Sequence, residues 1–398
     1  MPQEKLWTRD FIALIATNGA LFAAFHFLLP TLPMYATDLG ATGTEIGIIG
    51  GIFGYAAIFI RLFTDTGVRA FGKRKCLYAG LILSIISTIG YFIFDSVDAI
   101  IFFRITHGIG FGLSTTFAAA IAADVIPAAR RGEGIGYFGL GSTVAMAIAP
   151  ALGIVFLTDV SPLALCAAST LVSCIAMLTL FTCKAKEVMP ELPTKPVSTS
   201  LKNRLYENGT GVPSILTILF GAAYGSVNTF IAMMAIEAGI ESAGIFFLTG
   251  TLFIFISRPF GGRLLDRYGA FSVILPGAIS YLIALAIIVN ATTLTMLLTA
   301  SVFYGLGAGL LLPALMTWML NVVRADRRSS ASATFYNMLD IGTATGLLVL
   351  GHMAGDIGYI AMYKYVLGIM IIFLAFTLLQ HFFIPAQQGE EVQEVSEL

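Results

Sequence analysis

Apolar residues along this chain come in blocks about 20 long, cut by short polar stretches, and that length suits a helix that crosses a bilayer. The pattern predicts six helices, over 11–35, 43–64, 76–94, 99–123, 134–157 and 162–183. Six more follow, over 212–236, 242–261, 271–290, 294–322, 330–354 and 360–383. The first block follows M-P-Q-E-K-L-W-T-R-D with no A-x-A cleavage site, so it reads as a retained helix. Residues 184–211 are polar and proline-bearing and read as a linker, and the acidic tail 384–398 reads as disordered. The expected fold is an all-α membrane protein with an N-terminal six-helix half (1–183) and a C-terminal one (212–383).

Composition agrees. The 398 residues are 57% hydrophobic and 11% charged, where a soluble domain carries about a quarter charged residues. A net charge of −1 excludes nucleic acid as a natural partner. Cys76, Cys166, Cys174 and Cys183 are scattered, with neither metal-ligand spacing nor an expected disulfide. No cofactor is implied.

The basic residues set an orientation. All 22 Lys and Arg except Arg104 and Lys364 fall before the first helix, at the ends of helices 2 and 8, in the gaps after helices 2, 4, 8 and 10, or in the linker. Positive charge is retained on the cytoplasmic side, so both termini are expected there, and every odd-to-even gap outside. The halves also echo one another. G-I-G-F-G at 108–112 returns as G-L-G-A-G at 305–309, and A-A-R-R-G in the following loop returns as A-D-R-R-S. Two repeated halves imply a substrate path between them.

Three stretches carry a resemblance. R-P-F-G-G-R-L-L-D-R-Y-G, with Arg258, Pro259, Gly262, Asp266, Arg267 and Gly269, resembles the loop signature of the major facilitator superfamily. R-I-T-H-G-I-G from Arg104 is similar to that family's helix-4 signature, with His107 where Gln is common. A-P-A-L-G, with Pro150 and Gly153, resembles the helix-5 signature of its proton-coupled exporters, Ala149 replacing the first Gly. The first-half loop departs from the pattern: Arg69 stands where an acid belongs, and Asp65 falls one turn earlier. The resemblance spans the chain and implies a multi-pass transporter of a bacterial cell membrane, acting as a monomer in the lipid bilayer. It also implies gating loops built on Asp65, Arg258, Gly262, Asp266 and Arg267.

Candidate site residues are polar groups inside apolar blocks, where they are costly and so mark function. Arg104 lies about 7 Å inside its helix, at about 1.5 Å per residue; it either snorkels to the headgroups or, as the family signature implies, faces inward. His107, one turn deeper, is a proton-titrating partner or a hydrogen-bonded packing residue. Asp340, some ten residues into its helix, reads as a lone carboxylate near the midplane and the favoured proton carrier, with Arg104 and His107 as its electrostatic partner and relay. Asn337, one turn earlier, reads as a wall of the same site. Asn18 and His26 share a face of the first helix, and Tyr224 and Asn228 stand at i, i+4 in the seventh. These four line the cavity if the resemblance holds, or hydrogen-bond between helices if it does not. Phe25, Phe111, Phe220 and Trp318 are candidate apolar walls.

Enzyme chemistry finds no support. The glycine runs sit inside apolar helices instead of following strands, so they fail as phosphate loops. The expected activity is proton-coupled antiport that exports a small organic molecule. The alternatives are a proton symporter importing a sugar or organic acid, or an exporter of a siderophore-like metal chelator. A lipid flippase or a transport-fold receptor is the reading from a different class.

Overall fold

The computed structural model describes residues 5–127, 130–185, 205–324 and 327–383; the side chains at 65, 131–133, 136, 266 and 329 are outside the description. Most of the expected linker and the whole acidic tail therefore lie outside the described residues. The N-terminal half runs α1 (Arg9–Asp38), α2 (Gly43–Arg61), α3 (Thr64–Phe71), α4 (Lys73–Ile93), α5 (Val97–Val125), α6 (Arg131–Val155) and α7 (Pro162–Thr182). The C-terminal half runs α8 (Gly211–Glu237), α9 (Ile245–Tyr268), α10 (Phe271–Val289), α11 (Leu294–Asn321), α12 (Arg328–Ile357) and α13 (Tyr359–Phe383). All but the eight-residue α3 are long and apolar enough to cross a membrane, or contain a stretch that is, which makes twelve spans.

Local chemistry sets the ends. Thr42 and Glu45 form a reciprocal capping box that opens α2. Ser96, Ser161 and Thr293 accept from the third residue of the helices they begin. Gly72 and Gly269 close α3 and α9 with φ of +86° and +80°, a region glycine enters at little cost. Two expected boundaries move. The second helix stops at Arg61, whose carbonyl accepts from the Thr64 hydroxyl at 2.8 Å, and a separate short helix follows. The eighth runs on to Tyr268, so the part of the signature beyond residue 261, expected to be a loop, is helical too. A single π-helical turn over Phe156–Val160 continues α6.

The repeat is visible atom by atom. Gly108 abuts the Phe53 carbonyl of α2, and Gly305 abuts the Gly250 carbonyl of α9. Gly110 approaches the Gly80 carbonyl of α4, and Gly307 the Gly277 carbonyl of α10. Gly112 meets Ala57, and Gly309 meets Ile254. Each second partner stands 197 residues after the first, as does Gly269 after Gly72. Small residues let these backbones touch, which is how helices pack where lipid supplies no hydrophobic drive.

An even number of spans brings both described termini to one side of the bundle, here called the terminal face. The halves meet through α1 against α8, α6 against α9 and, most extensively, α2 against α12. Along that last seam Gly43, Gly47, Gly51 and Gly54 face Gly355, Gly351, Leu348 and Ala344. Thr44 bonds His352 at 2.6 Å and Tyr55 bonds Thr345 at 2.6 Å. The seam thus runs from the opposite face inward. Large apolar side chains cover the exterior, Leu163, Leu171, Leu178 and Phe181 on α7 among them.

Candidate functional site

α5 carries Arg104 and His107 into a chamber shared with α1, α2 and α4. Arg104 is 2% exposed. Its Nε donates to the Ile49 carbonyl at 2.8 Å and its Cζ lies 4.4 Å from the Phe53 ring centroid. Its Nη1 has no hydrogen-bond partner, and among the described residues no carboxylate pairs with it. One turn on, His107 Nδ1 lies 3.0 Å from the Tyr91 hydroxyl, which also donates to the Phe103 carbonyl. Phe25 stacks on Phe53 at 4.6 Å, and both contact Phe111. His107 meets Phe53 edge-on at 5.3 Å, and His26 meets Phe25 edge-on at 5.0 Å. The result is an aromatic cluster around His107 with a buried, half-satisfied cation against its Phe53 edge.

Asp340 lies elsewhere and is not alone. Its Oδ2 pairs with Nη1 of Arg61, the last residue of α2, and both side chains are partly exposed. This corrects the expectation of a lone carboxylate. The same geometry removes Arg104 as its partner, because α2 stands between them. Phe53 and Ala57 of that helix face α5, whereas Gly47, Gly51 and Gly54 face α12. Asn337 does not wall Asp340 either; it donates to the Leu205 carbonyl at 3.2 Å. That bond, with the Glu207–Arg327 ion pair at 2.9 Å, fastens residues 205–210 of the expected linker to α12.

Asn18 and His26 part company. Asn18 donates to the Phe138 carbonyl of α6 at 3.2 Å, a tie between helices, while His26 Nδ1 contacts the Phe22 carbonyl of its own helix at 2.8 Å. Tyr224 and Asn228 belong to a second aromatic group, in the C-terminal half. Asn228 donates to the Tyr224 carbonyl at 2.7 Å and the Tyr304 hydroxyl at 2.9 Å, and Tyr224 stacks over Tyr304. Tyr281 lies against Tyr304 with its own hydroxyl unpartnered. Tyr304 stands 197 residues after His107, and Ser301 after Arg104, so the repeat places this tyrosine group opposite the cluster around His107. Carried through the apolar blocks, the glycine echo alone would have found Tyr304.

The expected gating residues sit at the terminal-face end of α9. Arg258 is exposed there, 197 residues after Arg61. Arg267 lies over the Tyr268 ring at 5.3 Å, and a side chain at Gly262 would meet nothing within 4 Å. The Asp65 and Asp266 backbones are helical, and their side chains lie outside the described residues. Pro150 is buried within α6, and Gly153 lets the Phe27 carbonyl of α1 approach closely. Arg61, Phe53 and Tyr91 were missed. Arg61 read as a loop charge, and single aromatics in apolar blocks give no signal. No group of three or more metal-ligating side chains occurs among the described residues.

Known proteins match along nearly the whole chain. A transporter of Methanocaldococcus jannaschii, uncharacterised and of the MFS type, is 25% identical over 374 residues, covering 91% of this chain and 95% of its own. The staphylopine export protein of Staphylococcus aureus is 24% identical over 384 residues, covering 91% and 93%. The crystal structure of the nucleoside transporter NupG superposes with a TM-score of 0.74 at 15% identity, over 94% of this chain and all of that one. The family model of the Major Facilitator Superfamily matches residues 14–241 and again 213–396. With twelve spans, two repeated halves and that match, this chain belongs to the major facilitator superfamily of membrane transporters.

Proposed function

We propose that this transporter is a proton-coupled antiporter that exports a small organic molecule from a bacterial cytoplasm by alternating access. Its two halves, 1–183 and 212–383, rock about a path between them, and a single chain suffices. The observation that carries the reading is the Arg61–Asp340 ion pair, which joins α2 of one half to α12 of the other. Protonating the carboxylate discharges that tie. An ion can bias two conformations only through a difference in its interaction with them, and a pair that exists only while the halves are together supplies such a difference. The basic terminal face is read as cytoplasmic, so the close α2–α12 seam shuts the path toward the outside in this conformation. Export is favoured by the A-P-A-L-G stretch of α6 and by the named activity of the staphylopine relative.

Asp340→Asn tests the coupling, because the amide mimics the protonated acid permanently. In proteoliposomes the variant is expected to exchange labelled substrate between equal concentrations yet fail to concentrate it against an imposed pH gradient. Gradient-driven accumulation at the wild-type rate would remove Asp340 from the mechanism.

A further inference from the structure

The proton-coupling scheme leaves the buried charge of Arg104 unused. Arg104 is buried to 98%, and α2 separates it from the only carboxylate near the path that the scheme invokes. A guanidinium presents five donors in a planar fork. Here Nε is satisfied by Ile49, the face is covered by Phe53, the Tyr91 hydroxyl lies toward the guanidinium, and the buried Nη1 has no hydrogen-bond partner. A buried charge without a counter-charge is costly, and an unsatisfied donor in a membrane interior adds to that cost. Such an arrangement persists where something else completes it.

We infer that Arg104 is the anion-binding subsite for the transported molecule, and that this molecule carries a carboxylate on an apolar or aromatic body. The inference rests on the chain being a transporter of organic molecules, and the test below separates the two. Arg104 is the eighth residue of α5 counted from the opposite face, roughly 10 Å from that helix end. It is covered here by Phe53, on the α5-facing side of α2 and away from the α2–α12 seam. From the Phe53 ring that covers it, Phe25 and Phe111 and then Phe22 continue a ring-lined wall, in which Phe22 and Phe25 are only partly buried. An inorganic anion would leave that wall unused. A carboxylate would instead take the open edge of the guanidinium, the pairing for which its geometry is suited. The C-terminal half has Ser301 at the equivalent place, so the subsite exists once and fixes which end of the cargo faces the N-terminal half.

The measurement is calorimetric binding to the purified chain in nanodiscs, with no gradient present. The probes are matched pairs: 2-naphthoate with 2-naphthamide, benzoate with benzamide, hexanoate with hexanamide. Wild type is expected to bind at least one acid about ten- to a hundred-fold more tightly than its amide, the range of a charge-assisted hydrogen bond. Arg104→Gln should erase that preference while leaving amide binding in place, and Arg104→Lys should keep part of it. No acid preferred over its amide in any pair overturns the inference, and so does an undiminished preference in Arg104→Gln. Displacement of the acids by equimolar chloride also overturns it, since the site would then serve a small inorganic anion. If Arg104→Gln does not fold, the wild-type pairs and Arg104→Lys still decide. Loss of pH-driven flux elsewhere would remove the antiport reading and leave this result standing.

Discussion

Arg61 and Arg104 are the same side chain in two environments, one partly exposed and paired with a carboxylate, the other buried without one among the described residues. Arg61 ends α2 and meets Asp340 across the halves, whereas Arg104 lies inside one half with a carbonyl, a phenyl face and an open Nη1. If the first pair acts as a unit, its members should not contribute independently. Arg61→Gln and Asp340→Asn are each expected to slow pH-driven transport, and the double variant should be no slower than the worse single one. Groups in direct contact typically couple by about 0.5–3 kcal/mol; strictly additive rates would show that the contact has no part in turnover. At this scale the sequence was partly legible. Arg104, His107 and Asp340 stood out because charges inside apolar blocks are costly. Their partners did not, since Arg61 and Asp340 are 279 residues apart and nothing local links them.

Among the elements, α2 does the most, packing on α5 with one face and on α12 with the other. The second face depends on glycine. A Cβ at Gly47 would stand 2.8 Å from the Leu348 carbonyl oxygen and 3.1 Å from the His352 amide nitrogen, both backbone atoms that cannot step aside. Gly47→Leu is therefore expected to hold α2 off α12 and disfavour the sealed state by about 1–3 kcal/mol, the usual range for overpacking. A cysteine pair introduced by Thr44→Cys and His352→Cys reports this directly, because those side chains touch. Cross-linking should fall in Gly47→Leu and be unchanged in Gly368→Leu, where a side chain meets nothing within 4 Å. Equal cross-linking in both would mean the seam tolerates bulk. The long helices were legible to within a few residues, since blocks of apolar residues set their length. The short α3 was not, because eight mixed residues such as Thr64–Phe71 make no block. The helical stretch after residue 261, through Arg267, was misread as a loop because charge was taken as the end of the span.

For the whole molecule, the repeat organises everything described above. A 197-residue offset carries the glycine contacts of one half onto the other, and departures from it mark the working parts. Arg104 becomes Ser301 and His107 becomes Tyr304, while Arg61 keeps an arginine at Arg258 and pairs with an acid across the seam. Two near-equal halves with an unequal centre suit a machine that rocks symmetrically while it binds asymmetrically. The repeat was legible from the paired glycine runs, but the seam between halves was not, because small residues serve packing within and between halves alike.

Proton-coupled export is tested most directly in everted membrane vesicles, whose cytoplasmic face is outside. The account predicts that labelled substrate accumulates in them when their interior is acidified and leaks out when a proton ionophore collapses the gradient. Vesicles whose interior is made alkaline instead should accumulate none. Accumulation that ignores the ionophore, or that occurs only with an alkaline interior, would contradict it.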